Sequence, residues 1–308
     1  MKNFKRKWKY IERLEEKQYW IWLSLIKGAG SITKQKLLKK YQTPKKIYEL
    51  DKIELASNKW LPAKVIANIL DVGLKKQVYE HIRYMCKNGI DIVSINDEDY
   101  PQLLKNIYDF PISLYVKGNK KILNNQSISI IGCRNATTYG KKAAKYFAYH
   151  LAKNEITVVS GLARGIDSYA HIGALSGQCE SKSKEGKTIA VLGNGLDTVY
   201  PAENVELYRK IVEFGGLIVS EYPLGVGPEK MNFPARNRII SGLCKKILVI
   251  EAKEKSGTML TVDFALEQGK EIFAMPGNIN SSNSVGTNHL IKCGAQIATT
   301  YKDLLLDI

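Results

Sequence analysis

Residues 127–140 read SISIIGCRNATTYG, a continuous apolar run that breaks into a glycine loop and then into a helix-like stretch. A strand buried on both faces reads this way, without the alternation of a half-exposed strand. The same grammar recurs along the chain: ITVVSG (156–161) runs into LARGID, TIAVLGNG (188–195) into LDTVYP, LIVSEY (217–222) into PLGVGPEKMNFPARNR, KILVIEA (246–252) into KEKSGTM, and EIFAMPG (271–277) into NINSSNSVGTN. DIVSI (91–95), SLYVKG (113–118) and QIATT (296–300) are further strand candidates, and the amphipathic stretches between the runs suit crossover helices. The pattern predicts an α/β fold with a doubly wound, mainly parallel sheet.

Before residue 91 the texture is different. YWIWLSLI (19–26), SITKQKLLKKY (31–41), KVIANILDVGL (64–74) and KQVYEHIRYMCKNG (76–89) repeat apolar positions at helical spacing, and no strand-like alternation interrupts them. Within LIKGAGSITKQKLL (25–38), Gly28 and Gly30 mark a tight turn between two helices. Such a turn fits a helix-hairpin-helix element that brings backbone N–H groups to a phosphate, and equally a plain αα-hairpin. The expected organisation is an all-α domain over residues 1–90 and an α/β domain over 91–308. The polar segment 177–187, GQCESKSKEGK, reads as a surface loop.

Charge is distributed as unevenly as texture. The chain of 308 residues carries a net +16, yet residues 1–90 hold 21 Lys and Arg against 8 Asp and Glu, a net of +13, and residues 91–308 hold 25 against 22, a net of +3. The first third is a footprint for polyanions, although lysines on helix surfaces also serve solvation alone. Five scattered cysteines form no CxxC pair and no ligand-like grouping with the four histidines, so neither a disulfide framework nor a metal site is expected. The short apolar stretch 19–26 follows Glu15 and Glu16 and lacks a small-residue cleavage site, and no run reaches membrane-spanning length, so the cytoplasm is the expected compartment.

In open α/β sheets ligands bind beyond the carboxyl ends of the strands, and here six successive loops are rich in Gly, Ser, Asn and Arg. That implies several phosphate-sized sites, though one or two such loops would be ordinary turns. There is no GxGxxG with an acidic residue closing the next strand, and no GxxxxGK[ST], which disfavours NAD, FAD and P-loop chemistry; no cofactor is called for. The acid–base candidates are Asp167 and His171, spaced i, i+4, a pair that more often serves helix-end stabilisation and packing than catalysis. PEKMNFPARNRII (228–240) sets Lys230, Arg236 and Arg238 around Phe233, with Asn232 and Asn237 interleaved. Cations beside a ring suit single-stranded nucleic acid, whose free bases can stack; at least one of the two arginines is expected to be structural, paired with Glu221 or Glu251.

SIIGCRNATTYG (129–140), SGLARGIDSYAHIGAL (160–175), TIAVLGNGLDTVYPAEN (188–204), FPARNRIISGL (233–243) and SGTMLTVDFALEQGKEIFAMPGNI (256–279) together resemble, in order and spacing, the DNA-processing protein A (DprA/Smf) family. The resemblance implies a Rossmann-like domain preceded by a SAM-like helical domain, protective binding of single-stranded DNA, homodimerisation, and loading of RecA recombinase during natural transformation and recombination. The DNA site it implies comprises Gly132 and Arg134, Ser160, Gly161, Arg164 and Gly165, and Lys230 with Phe233; Asn232 and Arg236 join them from the residue pattern. Cys133 stands where the family usually has Ser or Thr, and the sequence stops at Ile308 without the small winged-helix-like domain that many relatives append. No catalytic residue is assigned. Two rivals remain: a nucleotide-binding Rossmann-like hydrolase using Asp167 or Glu251 as acid or base, and a nucleoid protein acting through its basic first third.

Overall fold

In the computed structural model, which describes residues 16–183 and 185–306, every apolar run forms a strand of one sheet. In chain order these are β1 (Ile90–Ser94), β2 (Ser113–Gly118), β3 (Ser127–Ile131), β4 (Thr157–Ser160), β5 (Thr188–Val191), β6 (Leu217–Ser220), β7 (Lys246–Val249), β8 (Glu271–Ala274) and β9 (Gln296–Ile297). Their spatial order is β1-β2-β6-β5-β4-β3-β7-β8-β9. Strands β3 to β9 pair in parallel, whereas β1 and β2 add an antiparallel ribbon against β6. The fold is thus mixed α/β with a mostly parallel, Rossmann-like sheet. The chain winds outward from β3 to β6, then returns to place β7 on the other side of β3. That reversal is the topological switch point, and it opens a crevice beyond Ile131 and Val249.

Three serines in the buried strands are satisfied by backbone, whereas the buried Thr157 hydroxyl of β4 has no hydrogen-bond partner among the described residues. Ser129 Oγ donates to Ile240 O (2.8 Å), Ser160 Oγ to Ile130 O (2.7 Å) and Ser220 Oγ to Asn194 O (2.7 Å). The helices over the sheet are α7 (Gln102–Lys105), α8 (Thr138–Lys153), α9 (Ile166–Gln178), α10 (Val205–Glu213), α11 (Asn232–Gly242), α12 (Gly257–Glu267) and α13 (Val285–Lys292). Helices α8 and α9 meet backbone to backbone. A Cβ on Gly177 would lie 2.0 Å from Tyr149 O, so only glycine permits this approach.

Ahead of β1 the described residues hold helices only: α1 (16–25), α2 (Ser31–Tyr41), α3 (Pro44–Glu49), α4 (Lys52–Ala56), α5 (Ala63–Leu70) and α6 (Val72–Asn88). KVIANILDVGL is not one helix. Asp71 ends α5 and caps α6, its carboxylate accepting from Gly73 N (2.7 Å). Helices α3 and α4, of six and five residues, are too short to show a period, but each begins at a capping side chain, Thr43 and Asp51. Gly28 and Gly30 form the turn between α1 and α2, with Gly28 at φ +79°. The basic start of the chain lies outside the described residues.

These helices share packing with the sheet. One cluster of buried side chains includes Trp22 and Leu37 together with Ile92, Tyr115 and Ile218. Polar contacts follow the same seam: Ser24 Oγ lies 2.6 Å from the Tyr115 hydroxyl, and Gln35 Nε2 donates to Phe110 O (2.8 Å). Among the described residues no helix is long and apolar enough to cross a membrane. Trp22 is fully buried in the shared cluster, so Trp22→Ala should lower stability by about 3–5 kcal/mol. Chemical denaturation followed by circular dichroism should show one cooperative transition moved as a whole; a loss confined to helical signal while the sheet unfolds unchanged would contradict the shared core.

Candidate functional site

The crevice at the switch point is a cleft of about 710 Å³ lined by the loops after β3 and β7 and by the start of α11. The loop after β3 is tied down on three sides. Cys133 N donates to Glu251 O (2.9 Å), and Cys133 O accepts from Ile166 N (3.2 Å). Gly165, at φ +76°, backs against the same loop, where a Cβ would sit 2.3 Å from Cys133 O and 2.4 Å from Arg134 O. Beneath it the buried Glu251 carboxylate accepts from Thr137 N (2.9 Å) and the Thr137 hydroxyl, which fixes the start of α8 to the end of β7. Cys133 is buried and its thiol pKa is raised by desolvation, so it offers no thiolate.

Arg134 stands at the tip of this loop, exposed and without an ion pair among the described residues, its guanidinium 5.6 Å from the centre of the Phe233 ring. Phe233 is half-buried and lies 5.4 Å from the Tyr200 ring. Lys230 and Lys253 are exposed along the same cleft. Ser256, Gly257 and Thr258 also line it, and no side chain caps α12 there, so the positive end of that helix dipole faces the space. Three cations, a helix N-terminus and two aromatic rings around one opening can hold a phosphate chain and stack its bases.

Helix α11 owes its position to Arg236. This residue is buried, and its Nη1 donates to Gly161 O (2.9 Å) and to Val191 O, at the ends of β4 and β5. Burial lowers its pKa to about 10, opposed by the charge of Asp167, so it remains a cation. Arg238 is structural as well: its guanidinium forms a two-pronged ion pair with Glu221 (2.6 and 2.7 Å) and meets Asp109 at 2.8 Å.

The structure separates residues that the sequence pattern grouped. Gly132, Arg134, Lys230, Phe233 and Arg236 line the cleft. Ser160 and Gly161 are buried outside its lining, and Gly165 is occupied by packing. The N–H groups of Gly161 and Ala163, which a phosphate would use, already point at Asp167 Oδ2 (3.2 and 3.4 Å). Arg164 is exposed but paired with Glu203 at 2.6 Å. Asn232 lies off the cleft lining with its amide nitrogen buried and unpartnered. Tyr200 and Lys253 are the additions. Lys253 and Tyr200 follow β7 and β5, where the carboxyl-end rule pointed to whole loops and singled out neither residue.

Asp167 and His171 do not form a catalytic pair at the cleft. Asp167 lines it with a carboxyl pKa raised by desolvation, while His171 is wholly buried and points elsewhere. The Thr188 hydroxyl donates to Val158 O (2.9 Å), so His171 Nδ1 donates to Thr188 Oγ1 (2.7 Å) and Nε2 is left without a proton. Desolvation lowers the His171 pKa to about 3. No cluster of three His, Cys, Asp or Glu suited to a metal is found among the described residues.

Fold and cleft together define a Rossmann-like protein with a cationic, aromatic-lined cleft at its switch point. The chain belongs to the DNA recombination-mediator protein A family, whose model matches residues 91–308. It is 40% identical over 231 residues to Protein Smf of Escherichia coli K12, a match covering 75% of this chain and 60% of that protein's length. The X-ray structure of DNA processing protein A from Streptococcus pneumoniae superposes with a TM-score of 0.74 at 34% identity, covering 94% of this chain and 98% of that one. DNA processing protein A from Helicobacter pylori, whose structure addresses a single-stranded DNA binding mode, gives a TM-score of 0.60 at 32% identity over 70% of this chain and 94% of that one.

Two measurements check this geometry. Because His171 is neutral in the fold and protonates on unfolding below pH 6.5, its contribution is intact above that pH and is lost as pH falls toward 3. Between pH 6.5 and 4.5 the loss amounts to about 2 kcal/mol, which His171→Leu should remove; equal pH slopes in both proteins would refute the assignment. Gly165→Ala should destabilise by at least about 1–3 kcal/mol from backbone strain alone. Unaltered thermal unfolding of that variant would show that the Arg134 loop is not braced there.

Proposed function

We propose that this chain binds single-stranded DNA in the switch-point cleft, protects it, and loads RecA recombinase onto it during recombination and natural transformation. The observation that carries the reading is the pairing of Arg134 with Phe233: a free guanidinium for phosphate lies beside a half-buried ring for a base. Duplex bases are already stacked on one another and cannot use the ring, so the arrangement favours single strands. Family membership and the likeness to the Helicobacter pylori protein support the same substrate. Delivery to RecA, work as a homodimer and a cytoplasmic location rest on the family alone. Residues 1–90, as a basic helical unit, add salt-sensitive affinity through their net +13, while preference for single strands resides in 91–308.

Arg134 and Phe233 should fail in different ways. Arg134→Ala should weaken binding to all sequences alike and flatten the salt dependence by roughly 0.7 for each phosphate that is no longer neutralised. Phe233→Ala should cost about 1–3 kcal/mol of binding and leave the salt slope nearly unchanged. Fluorescence anisotropy with oligonucleotides at several salt concentrations separates the two, with thermal unfolding as the check on folding. Intact affinity and slope in Arg134→Ala would remove the cleft from consideration.

A further inference from the structure

Two adjoining depressions of about 550 and 420 Å³ meet at Tyr139 and Pro276; Thr137 and Ser284 of the first are close in sequence to Asn135 and Asn283 of the cleft. Helix α8 gives Tyr139 to both, and Lys142, Ala143, Tyr146 and Phe147 to the second. Tyr139, Lys142 and Tyr146 occur there at i, i+3 and i+7 and form one stripe, with the two tyrosines about 10 Å apart along the axis. Tyr139 is 60% exposed and Tyr146 42% exposed, unusual for rings on a helix otherwise packed on its neighbour.

Tyr146 is held in place by edge contacts with Phe147 (5.4 Å) and His150 (4.6 Å), and His150 in turn stacks on Tyr301 (4.4 Å, 8°). A ring fixed before binding loses little entropy when a ligand covers it. The charge is one-sided: α8 carries Lys141, Lys142, Lys145 and Lys153 and no acid. Lys153 is committed to Glu180 (2.8 Å), whereas Lys142 and Lys145 have no ion pair among the described residues. The nearby acids are engaged, Glu251 by Thr137 and Asp303 by the Thr299 and Thr300 amides (2.8 Å each). Exposed rings alternating with cations that have no ion pair among the described residues, near the cationic cleft, match a polyanion with stackable bases better than an apolar protein surface.

We propose that the single strand leaves the cleft past Thr137 and runs along the outer face of α8, its bases stacking on Tyr139 and Tyr146 and Lys142 meeting a phosphate. This extension rests on the cleft reading above. The test uses the full chain and oligothymidylates of increasing length, from about 6 to 20 nucleotides, with anisotropy as the readout. In the wild-type protein affinity should rise with length beyond the shortest strands. In Tyr139→Ala/Tyr146→Ala the longest strand should bind at least about tenfold more weakly while the shortest is unaffected, and Tyr139→Phe/Tyr146→Phe, which keeps the rings, should behave as wild type. Equal loss at all lengths, no loss at the longest, or identical behaviour of the Ala and Phe pairs would overturn the extension. Arg134→Ala is the internal reference. If it weakens every length while the tyrosine pair is silent, only the extension fails; if it weakens none, the cleft reading fails first.

Discussion

The cleft exists because a guanidinium is buried under it. Arg236 reaches from α11 to the carbonyls of Gly161 and Val191, closing the ends of β4 and β5, with Asp167 nearby. A buried charge is tolerable only when its donors are used and an opposite charge lies near, and truncating one partner strands the other. Arg236 meets both conditions, and so pins α11 at the one height that puts Phe233 beside Tyr200 and within reach of Arg134. The Ser129 hydroxyl on Ile240 O fixes the helix at its far end. The shape of the cleft is therefore set by buried groups at its floor rather than by the exposed Arg134 and Lys230 at its opening.

The same interaction explains why the sequence was legible for the fold and only partly for the site. Continuous apolar runs ending in glycine loops identify buried parallel strands, and all nine runs became strands. That β1 and β2 run antiparallel was not legible, because DIVSI and SLYVKG have the composition of their parallel neighbours. That Arg134, Lys230 and Phe233 share one cleft follows from their positions after strands at the carboxyl ends of the sheet. The loop 160–165 looked equally like a phosphate cradle, and the difference lies in Asp167, whose carboxylate takes the amides a phosphate would need. A glycine loop signals that N–H groups point inward; it does not say whether the fold has already filled them.

Net charge misleads in a related way. Residues 91–308 are nearly neutral, at +3, yet the cleft is strongly cationic. Two acids of this part are matched by arginines within the scaffold: Glu221 binds Arg238 and Asp167 faces Arg236. Each pairing cancels an acid against a base, and the exposed Arg134, Lys230 and Lys253 stand at the opening.

The two sources of positive charge act over different distances. At physiological salt the field of exposed charges decays within about 8 Å, so on the proposed reading the lysines of the helical part would attract a strand broadly without orienting a base. Orientation requires contact, which the cleft provides through a bidentate-capable arginine and a ring set at a fixed height by Arg236. On that reading, affinity that falls steeply with salt and single-strand preference that does not would belong to different parts of the molecule. Because the helices and the sheet share one buried cluster through Trp22 and Tyr115, the attracting surface is mechanically joined to the part that discriminates. Under the proposed function, a strand captured by diffuse charge would be held close to the cleft, its effective concentration there set by the dimensions of the protein rather than by the bulk solution.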